Sequence, residues 1–321
     1  MLSKLKVLVR LDVTREIGTG HFRRIENLET IRGDWEFVYY VYTDDRENRI
    51  FDNHTVRFLK DEEKKLDFLI DESVSFDVII LDFLKYESGS ISSLKAGSSS
   101  HIVSFHEYDD YDFNSDLIIN YNLFNGWRSY IDKKKFLTGP EYIIFNQEIK
   151  KYDRAYEPEN IVFVSFGGSD PQNYTEAFIV KVARELTNKK FVIHLGLFNS
   201  KDSIMKTGDH LGNLTFVRSP LDLFHYLSRS KKIVCSGGNT MYEVSYFGST
   251  PIVLPQNEHQ YEFAYNLEEE GGCYCVGDGN KINWDQVIDR IKSPISKPKM
   301  TLIDDLGAKR ISERMFSLVN N

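Results

Sequence analysis

No run of about eighteen apolar residues occurs anywhere in the chain, so a membrane-spanning helix is not expected. Cysteine is scarce: there are three, and Cys273 and Cys275 alternate along one strand-like segment. That spacing fits neither a disulfide framework nor a zinc site and reads as reduced structural thiols. Positive charge is in deficit, with a formal net charge of −8. General nucleic-acid binding needs a basic footprint to release phosphate counterions, so it is not expected here, although one pocket can still hold a small anion. Met1-Leu2-Ser3-Lys4-Leu5-Lys6 leads directly into Val7-Leu8-Val9 without a signal-peptide apolar region, from which a cytoplasmic location is expected. No internal sequence repeat is apparent.

What the chain does have is length and alternation. Its 321 residues exceed one ordinary core, and the 41% hydrophobic content is that of a globular protein. Short apolar runs alternate with helix-like segments. The strand candidates are 6–13, 35–42, 56–59, 78–83, 101–105 and 117–120, then 160–166, 190–195, 214–217, 232–235, 251–254 and 273–276. Several are apolar on both faces, which predicts parallel sheets covered on both sides. The expected class is α/β, with two Rossmann-like doubly wound domains facing across a cleft. Apolar periodicity fails between Asn146 and Glu159, which places the linker there. The expected domains are 1–147 and 155–303, the helical segment 304–319 joining the first. In that segment Ile311, Met315 and Leu318 share one face.

Three glycine turns carry the chemistry. In Cys235-Ser236-Gly237-Gly238-Asn239-Thr240-Met241-Tyr242-Glu243, an apolar strand passes through paired glycines into a helix. Backbone N–H groups at a helix start attract a pyrophosphate, and glycine removes the Cβ that would block its approach. Glu243, farther along that helix, is placed to accept hydrogen bonds from ribose hydroxyls. A tight turn with a solvated glutamate is the plain alternative. Phe166-Gly167-Gly168-Ser169-Asp170-Pro171 is the second turn, with Asp170 read as an N-cap and Pro171 as the first residue of a helix to about Leu186. Glu258-His259-Gln260 follows the strand that ends in Pro255, in a polar stretch read as loop or as a reach toward phosphates and sugar hydroxyls.

The remaining turn is Ile17-Gly18-Thr19-Gly20-His21-Phe22-Arg23-Arg24. Gly18-x-Gly20 with Asp44 downstream has elements of a dinucleotide fingerprint, but Arg23 stands at the third glycine position and the loop before the glycines is long. His21 at a helix start is expected to hold its proton weakly because of the helix dipole, as a general base near neutral pH requires. Capping or packing is the plain role for such a histidine. Arg23 and Arg24 are read as partners of phosphate or sugar acids, or as surface salt bridges.

Taken in order, Ile17-Gly18-Thr19-Gly20-His21-x-x-Arg24, Gly139-Pro140-x-Tyr142, Gly167-Gly168-Ser169-Asp170-Pro171, Ser236-Gly237-Gly238-x-x-x-Tyr242-Glu243 and Glu258-His259-Gln260 span nearly the whole chain. This series resembles the family containing the UDP-sugar hydrolases of pseudaminic acid synthesis and the spore-coat polysaccharide proteins of SpsG type, relatives of the MurG-like glycosyltransferases. The resemblance implies a GT-B fold with no metal and no cofactor, the nucleotide held by the C-terminal domain. It implies that Gly237-Gly238 and Asn239 bind the diphosphate, that Glu243 binds ribose, and that His21 activates water to displace UDP from the anomeric carbon of a UDP-amino sugar. Gly18, Gly20, Arg24, Asp82, Tyr142, Gly167, Gly168, Ser169, Ser236, Glu258, His259 and Gln260 complete the implied substrate site. A helix dipole can stabilise the leaving diphosphate without a cation. The chain departs from the hydrolases in two places. Where they carry Asp-His-Tyr, with the tyrosine in the site, this chain has Asp82-Phe83-Leu84, and Glu258-His259-Gln260 looks more like the SpsG and transferase side. Transfer of the sugar to a polysaccharide, lipid or protein acceptor is therefore the alternative reaction. The sugar is expected to meet the loops 82–86 and 106–111.

Overall fold

The structure, a computed structural model, describes residues 4–14, 17–63, 65–107, 114–122, 135–153, 157–168, 170–196, 201–208, 210–294 and 303–320. The chain divides into two compact units. The first takes the chain to Asn122, resumes through Gln147 and is completed from Asp305 onward, while the second runs from Glu148 to Asp304.

In the first unit the strands are β1 (Lys6–Val13), β2 (Glu36–Thr43), β3 (Val56–Phe58), β4 (Val78–Asp82), β5 (His101–Phe105), β6 (Leu117–Asn120) and β7 (Phe136–Thr138). They lie in the order β3-β2-β1-β4-β5-β6-β7, every pair parallel. Successive side chains of a strand point to opposite faces, and both faces here are apolar. Val7, Val9 and Leu11 of β1 share one core with Phe22, Ile25 and Leu28 of α1 (Gly20–Ile31). Leu8 of β1 and Ile79 and Leu81 of β4 share another with Leu69 of α2 (Leu69–Glu72) and Ile91 and Leu94 of α3 (Ser90–Gly97).

The second unit repeats the plan. Its strands are β8 (Glu159–Ser165), β9 (Lys190–His194), β10 (Leu214–Val217), β11 (Ser230–Cys235), β12 (Ile252–Val253) and β13 (Tyr274–Cys275), ordered β10-β9-β8-β11-β12-β13 and parallel throughout. The helices are α4 (Tyr174–Phe178), α5 (Lys201–Gly208), α6 (Pro220–Arg229), α7 (Asn239–Tyr246), α8 (Glu258–Glu269) and α9 (Trp284–Lys292). In both sheets the order reverses beside the first strand, between β1 and β4 and between β8 and β11. Doubly wound sheets bind ligands at the carboxyl ends of the strands flanking such a reversal.

Each strand expected from the sequence is present. β7 was missed because a three-residue strand is too short to show alternation. β12 and β13 are two residues each, shorter than the apolar runs that contain them. The helix expected from Pro171 starts instead at Tyr174. Asp170 has a positive φ of 43° and caps from upstream, its carboxylate accepting from the N–H groups of Tyr174 and Thr175 at 2.9 Å each. All three cysteines are free thiols. Among the described residues no helix is long and apolar enough to cross a membrane.

The C-terminal helix α10 (Gly307–Asn320) returns to the first unit. Ile311 and Met315 are fully buried in the core that α1 covers, with Leu318 packed at its margin. Arg310 Nη1 donates to the carbonyl of Glu141 at 2.8 Å, which ties this helix to the turn Pro140–Tyr142. Ile311→Ala should cost about 2–5 kcal/mol from lost burial plus the cavity left behind. Glu313→Ala, at an exposed position on the same helix, should stay within about 0.5 kcal/mol. Thermal unfolding of the two variants checks the contrast.

Candidate active site

β1 leaves the first sheet at Val13, and the chain turns through Gly18, whose φ is +80° and whose N–H donates to the Thr14 carbonyl at 2.7 Å. Gly20 opens α1, so His21 and Arg24 stand one turn apart on the same helical face. Asp82 ends β4 with the same side-chain parity as Ile80, which faces α1. The three side chains meet across the β1–β4 reversal. Asp82 Oδ1 lies 2.5 Å from His21 Nδ1 and accepts from Arg24 Nη2 at 2.5 Å, while Asp82 Oδ2 accepts from Arg24 Nε at 2.8 Å. Arg24 thus grips the carboxylate with both prongs of its fork. Nη2 is also 3.1 Å from His21 Nδ1. A guanidinium has only donors, so both N–H groups point at the shared oxygen and do not bond to each other. The proton of a neutral His21 therefore sits on Nδ1, leaving the Nε2 lone pair to accept one.

His21, Arg24 and Asp82 are 6%, 4% and 0% exposed. Burial opposes charging of the imidazole, but Asp82 outweighs it and Glu107 adds to Asp82, with Arg24 opposing. The net result is a His21 pKa above its ordinary value. The weakened hold on the proton expected from the helix start is thus corrected, because a carboxylate at contact distance overrides a helix end. Arg24 departs from expectation too. Its Nη1 donates to Glu107 Oε1 at 3.2 Å and to the Tyr121 hydroxyl, and its guanidinium lies 5.1 Å from the centre of the Phe105 ring. It belongs to the protein's own charge network, the salt-bridge alternative realised in a buried setting and not at the surface. Glu107 and Tyr121 escaped the sequence reading. Each follows a strand end of the same sheet, and that position was the signal available for finding them.

In the second unit the loops after β8, β9, β11 and β12 converge at the carboxyl edge. Gly167, with φ +82°, and Gly168 follow β8, and Ser236 and Gly237 follow the neighbouring β11. A Cβ at Gly196, after β9, would sit 2.1 Å from the Gly167 carbonyl oxygen, so that position admits only glycine. A Cβ at Gly237 would sit 2.6 Å from the Gln260 carbonyl oxygen. Gln260 Oε1 accepts from Gly237 N at 3.1 Å and Gln256 N at 3.0 Å, and Gln256 Nε2 donates to the Phe166 carbonyl at 2.8 Å. Gln260 is therefore a brace between loops, and Gln256, which the sequence reading did not select, is a second one. Gly238 caps α7 and has open space where a Cβ would be.

Asn239 begins α7, and Glu243 lies one turn in, 9% exposed. Burial pushes the Glu243 carboxyl up to about 7, against a hydrogen bond with the Thr240 side chain. Among the described residues no cation pairs with it. The stretch after Pro255 is the start of α8, capped where Asn257 Oδ1 accepts from Gln260 N at 2.9 Å. On that helix Glu258 is exposed, and His259 is buried with its ring centre 4.0 Å from that of Phe263. Tyr142 is half-buried against the first unit's core, in the turn tied to α10. Ser169 lies outside the described residues, as does most of the 106–111 loop. Among the described residues no three His, Cys, Asp or Glu side chains form a metal-ligand group.

Two doubly wound units, each with its polar groups at the strand reversal, define a fold of the GT-B type. No protein-family model matches the chain. It is 22% identical over 320 residues to the spore coat polysaccharide biosynthesis protein SpsG of Bacillus subtilis, covering 92% of this chain and 94% of that protein. MurG of Acinetobacter baumannii superposes with a TM-score of 0.61 at 12% identity, covering 98% of each chain. The UDP-GlcNAc 2-epimerase of Neisseria meningitidis, in its structure bound to UDP-GlcNAc, superposes with a TM-score of 0.57 at 13% identity, covering 98% of this chain and 100% of that one. These solved structures share the fold.

Glu243 generates a stability prediction. Its folded pKa of about 7 exceeds the ordinary 4.5, so the destabilisation it causes is absent below about pH 4.5, grows through the interval and is complete above pH 7. Glu243→Gln should raise stability at pH 8 by up to about 3 kcal/mol and change little at pH 4.5. Thermal unfolding at the two pH values measures the difference.

Proposed function

We propose that the protein is a nucleotide-sugar enzyme that cleaves the sugar–phosphate bond of a UDP-amino sugar in surface-glycan or nonulosonic-acid synthesis. The observation that carries this reading is the buried His21–Asp82 pair at the β1–β4 reversal, with Nε2 left as the proton acceptor. The second unit holds the nucleotide: Gly237, Gly238 and the start of α7 take the diphosphate, and the uncompensated Glu243 accepts from the ribose hydroxyls. The first unit supplies the sugar side. His21 Nε2 removes the proton of water as its oxygen attacks the anomeric carbon. Asp82 stabilises the imidazolium that results, and UDP departs onto the glycine turn. Uridine and the amino sugar are taken from the solved neighbour bound to UDP-GlcNAc and from the motif series. The three free thiols suit a reducing cytoplasm.

Transfer to a glycan, lipid or protein hydroxyl is the second reading. It is favoured by Phe83 and the 37% exposed Leu84 standing where the resembled hydrolases carry a catalytic-site tyrosine. Incubation with UDP-GlcNAc and related UDP-amino sugars without acceptor separates the two. Free sugar appearing with UDP means hydrolysis, and strict dependence on added acceptor means transfer.

Either reaction makes the same demand on the base. His21→Ala should lower kcat by ~10²–10⁴ and leave UDP affinity unchanged by calorimetry. Turnover close to wild type would remove His21 from the mechanism. Because Asp82 raises the His21 pKa and only the unprotonated ring can accept a proton, kcat/KM should fall on the acid side of that raised value. Asp82→Asn should shift this acid limb to lower pH and reduce kcat by up to ~10⁴ through loss of the correct tautomer. A pH–rate profile of the folded variant measures both effects.

A further inference from the structure

On the other face of the first sheet, away from His21, a pocket of 180 Å³ opens at the carboxyl ends of β1 and β4. Arg10 has the strand parity of Leu8, and its guanidinium lies 4.8 Å from the centre of the Phe83 ring, which belongs to the core on that face. Arg10 is 1% exposed, and its Nη1 donates to Asp12 Oδ1 at 2.6 Å and to the Leu11 carbonyl at 2.7 Å. Leu66, Phe83 and Tyr86 form apolar walls, while Lys65, Lys85 and Glu87 are exposed at the mouth. Tyr86 is held rigidly. Its hydroxyl reaches the carbonyls of Leu81 at 2.9 Å and Phe105 at 2.7 Å, and its ring stacks on His106 at 4.5 Å. The hydroxyl oxygen of Ser90, also in the lining, is buried without a hydrogen-bond partner.

Several features select the occupant. Arg10 and Asp12 neutralise each other, and Lys65 and Lys85 outnumber Glu87, so the pocket favours an anion. Its volume is several times the roughly 30 Å³ share of one water, which suits a ring more than a lone ion. Aromatic walls with a carboxylate and a free hydroxyl oxygen suit a face bearing hydroxyl groups. We propose that this pocket binds a small polyhydroxylated anion, a sugar acid or sugar phosphate, as a second ligand separate from the nucleotide. The acid group pairs with the lysines over Arg10, and the ring lies against Phe83 and Tyr86 with its hydroxyls toward Asp12 and Ser90. The proposal does not depend on the reaction assigned to His21, because occupancy is measured without nucleotide.

Glucuronic acid, glucose 6-phosphate and uncharged glucose are the probes, titrated into the full chain by calorimetry and ligand-detected NMR. Binding of either anion with glucose at least about tenfold weaker supports the site, and the anion that binds assigns the carboxylate or the phosphate as the preferred group. The double variant Lys65→Glu, Lys85→Glu alters exposed side chains and should keep the wild-type melting temperature and UDP affinity while weakening the anion roughly tenfold. His21→Ala should leave the anion's affinity unchanged. Failure of all three sugars to bind, equal binding of glucose and the anions, an unaffected double variant, or loss of anion binding in His21→Ala would each overturn the proposal.

Discussion

A parallel sheet covered by helices on both faces leaves polar side chains one place to go. Along β1 and β4 of this protein the strand interiors are occupied by Val7, Leu8, Val9, Leu11, Ile79, Ile80 and Leu81, all fully buried. Charge enters toward the carboxyl ends, at Arg10, Asp12 and Asp82, and there it is desolvated by the same helices that cover the sheet. Each charge at the carboxyl edge must therefore be paired by the protein or left for a ligand to pair. The two units resolve that constraint in opposite ways.

In the first unit the protein pairs its own charges. Asp82 is shared between His21 and the two prongs of Arg24, and Arg24 is in turn met by Glu107 and Tyr121. Removing one member of such a buried set leaves an uncompensated charge, a loss of about 3–5 kcal/mol, so the network fixes the imidazole's orientation as firmly as a core contact would. In the second unit Glu243 is buried, relieved among the described residues by the Thr240 side chain alone, and its pKa rises to about 7 in consequence. A site that carries such a destabilisation is one expected to be completed by hydrogen-bond donors from outside. The glycines beside it act by what they omit. Gly196 and Gly237 sit where any Cβ would meet a carbonyl oxygen, and their absence of side chains lets the loops after β8, β9, β11 and β12 crowd into one edge.

The alternation of apolar runs and helical segments was legible because it repeats a local period, whereas the strand order is set by the fold. The histidine and the glycine turns were also legible, being rare residue types at strand-to-helix junctions. The pairing was not: the resemblance implied Asp82 as a site residue, but nothing joined it to His21 and Arg24. Asp82, Glu107 and Tyr121 are separated from Arg24 by 58, 83 and 97 residues, and no local pattern links a helix to strand ends so far along the chain. For the same reason the direction of the His21 pKa shift was misjudged: the helix start is visible in sequence, while the carboxylate that overrides it arrives through the fold. The internal hydrogen bonds of Gln260 and Arg24 were hidden too, because polar side chains near a glycine turn look alike until their partners are known.

The sequence by itself determined the two-unit α/β class, the parallel sheets and the positions of the turns, since periodicity, glycine placement and helix capping act over a few residues. Tertiary structure alone decided which side chains each turn residue meets. It set His21 against Asp82, placed Arg24 in the protein's own network, let Gln256 and Gln260 brace the loops, buried Glu243, and opened the Arg10 pocket behind the sheet. The physical reason is that desolvation and pairing of charge depend on what surrounds a side chain in three dimensions, and in a doubly wound fold those surroundings come from strands far apart in the chain.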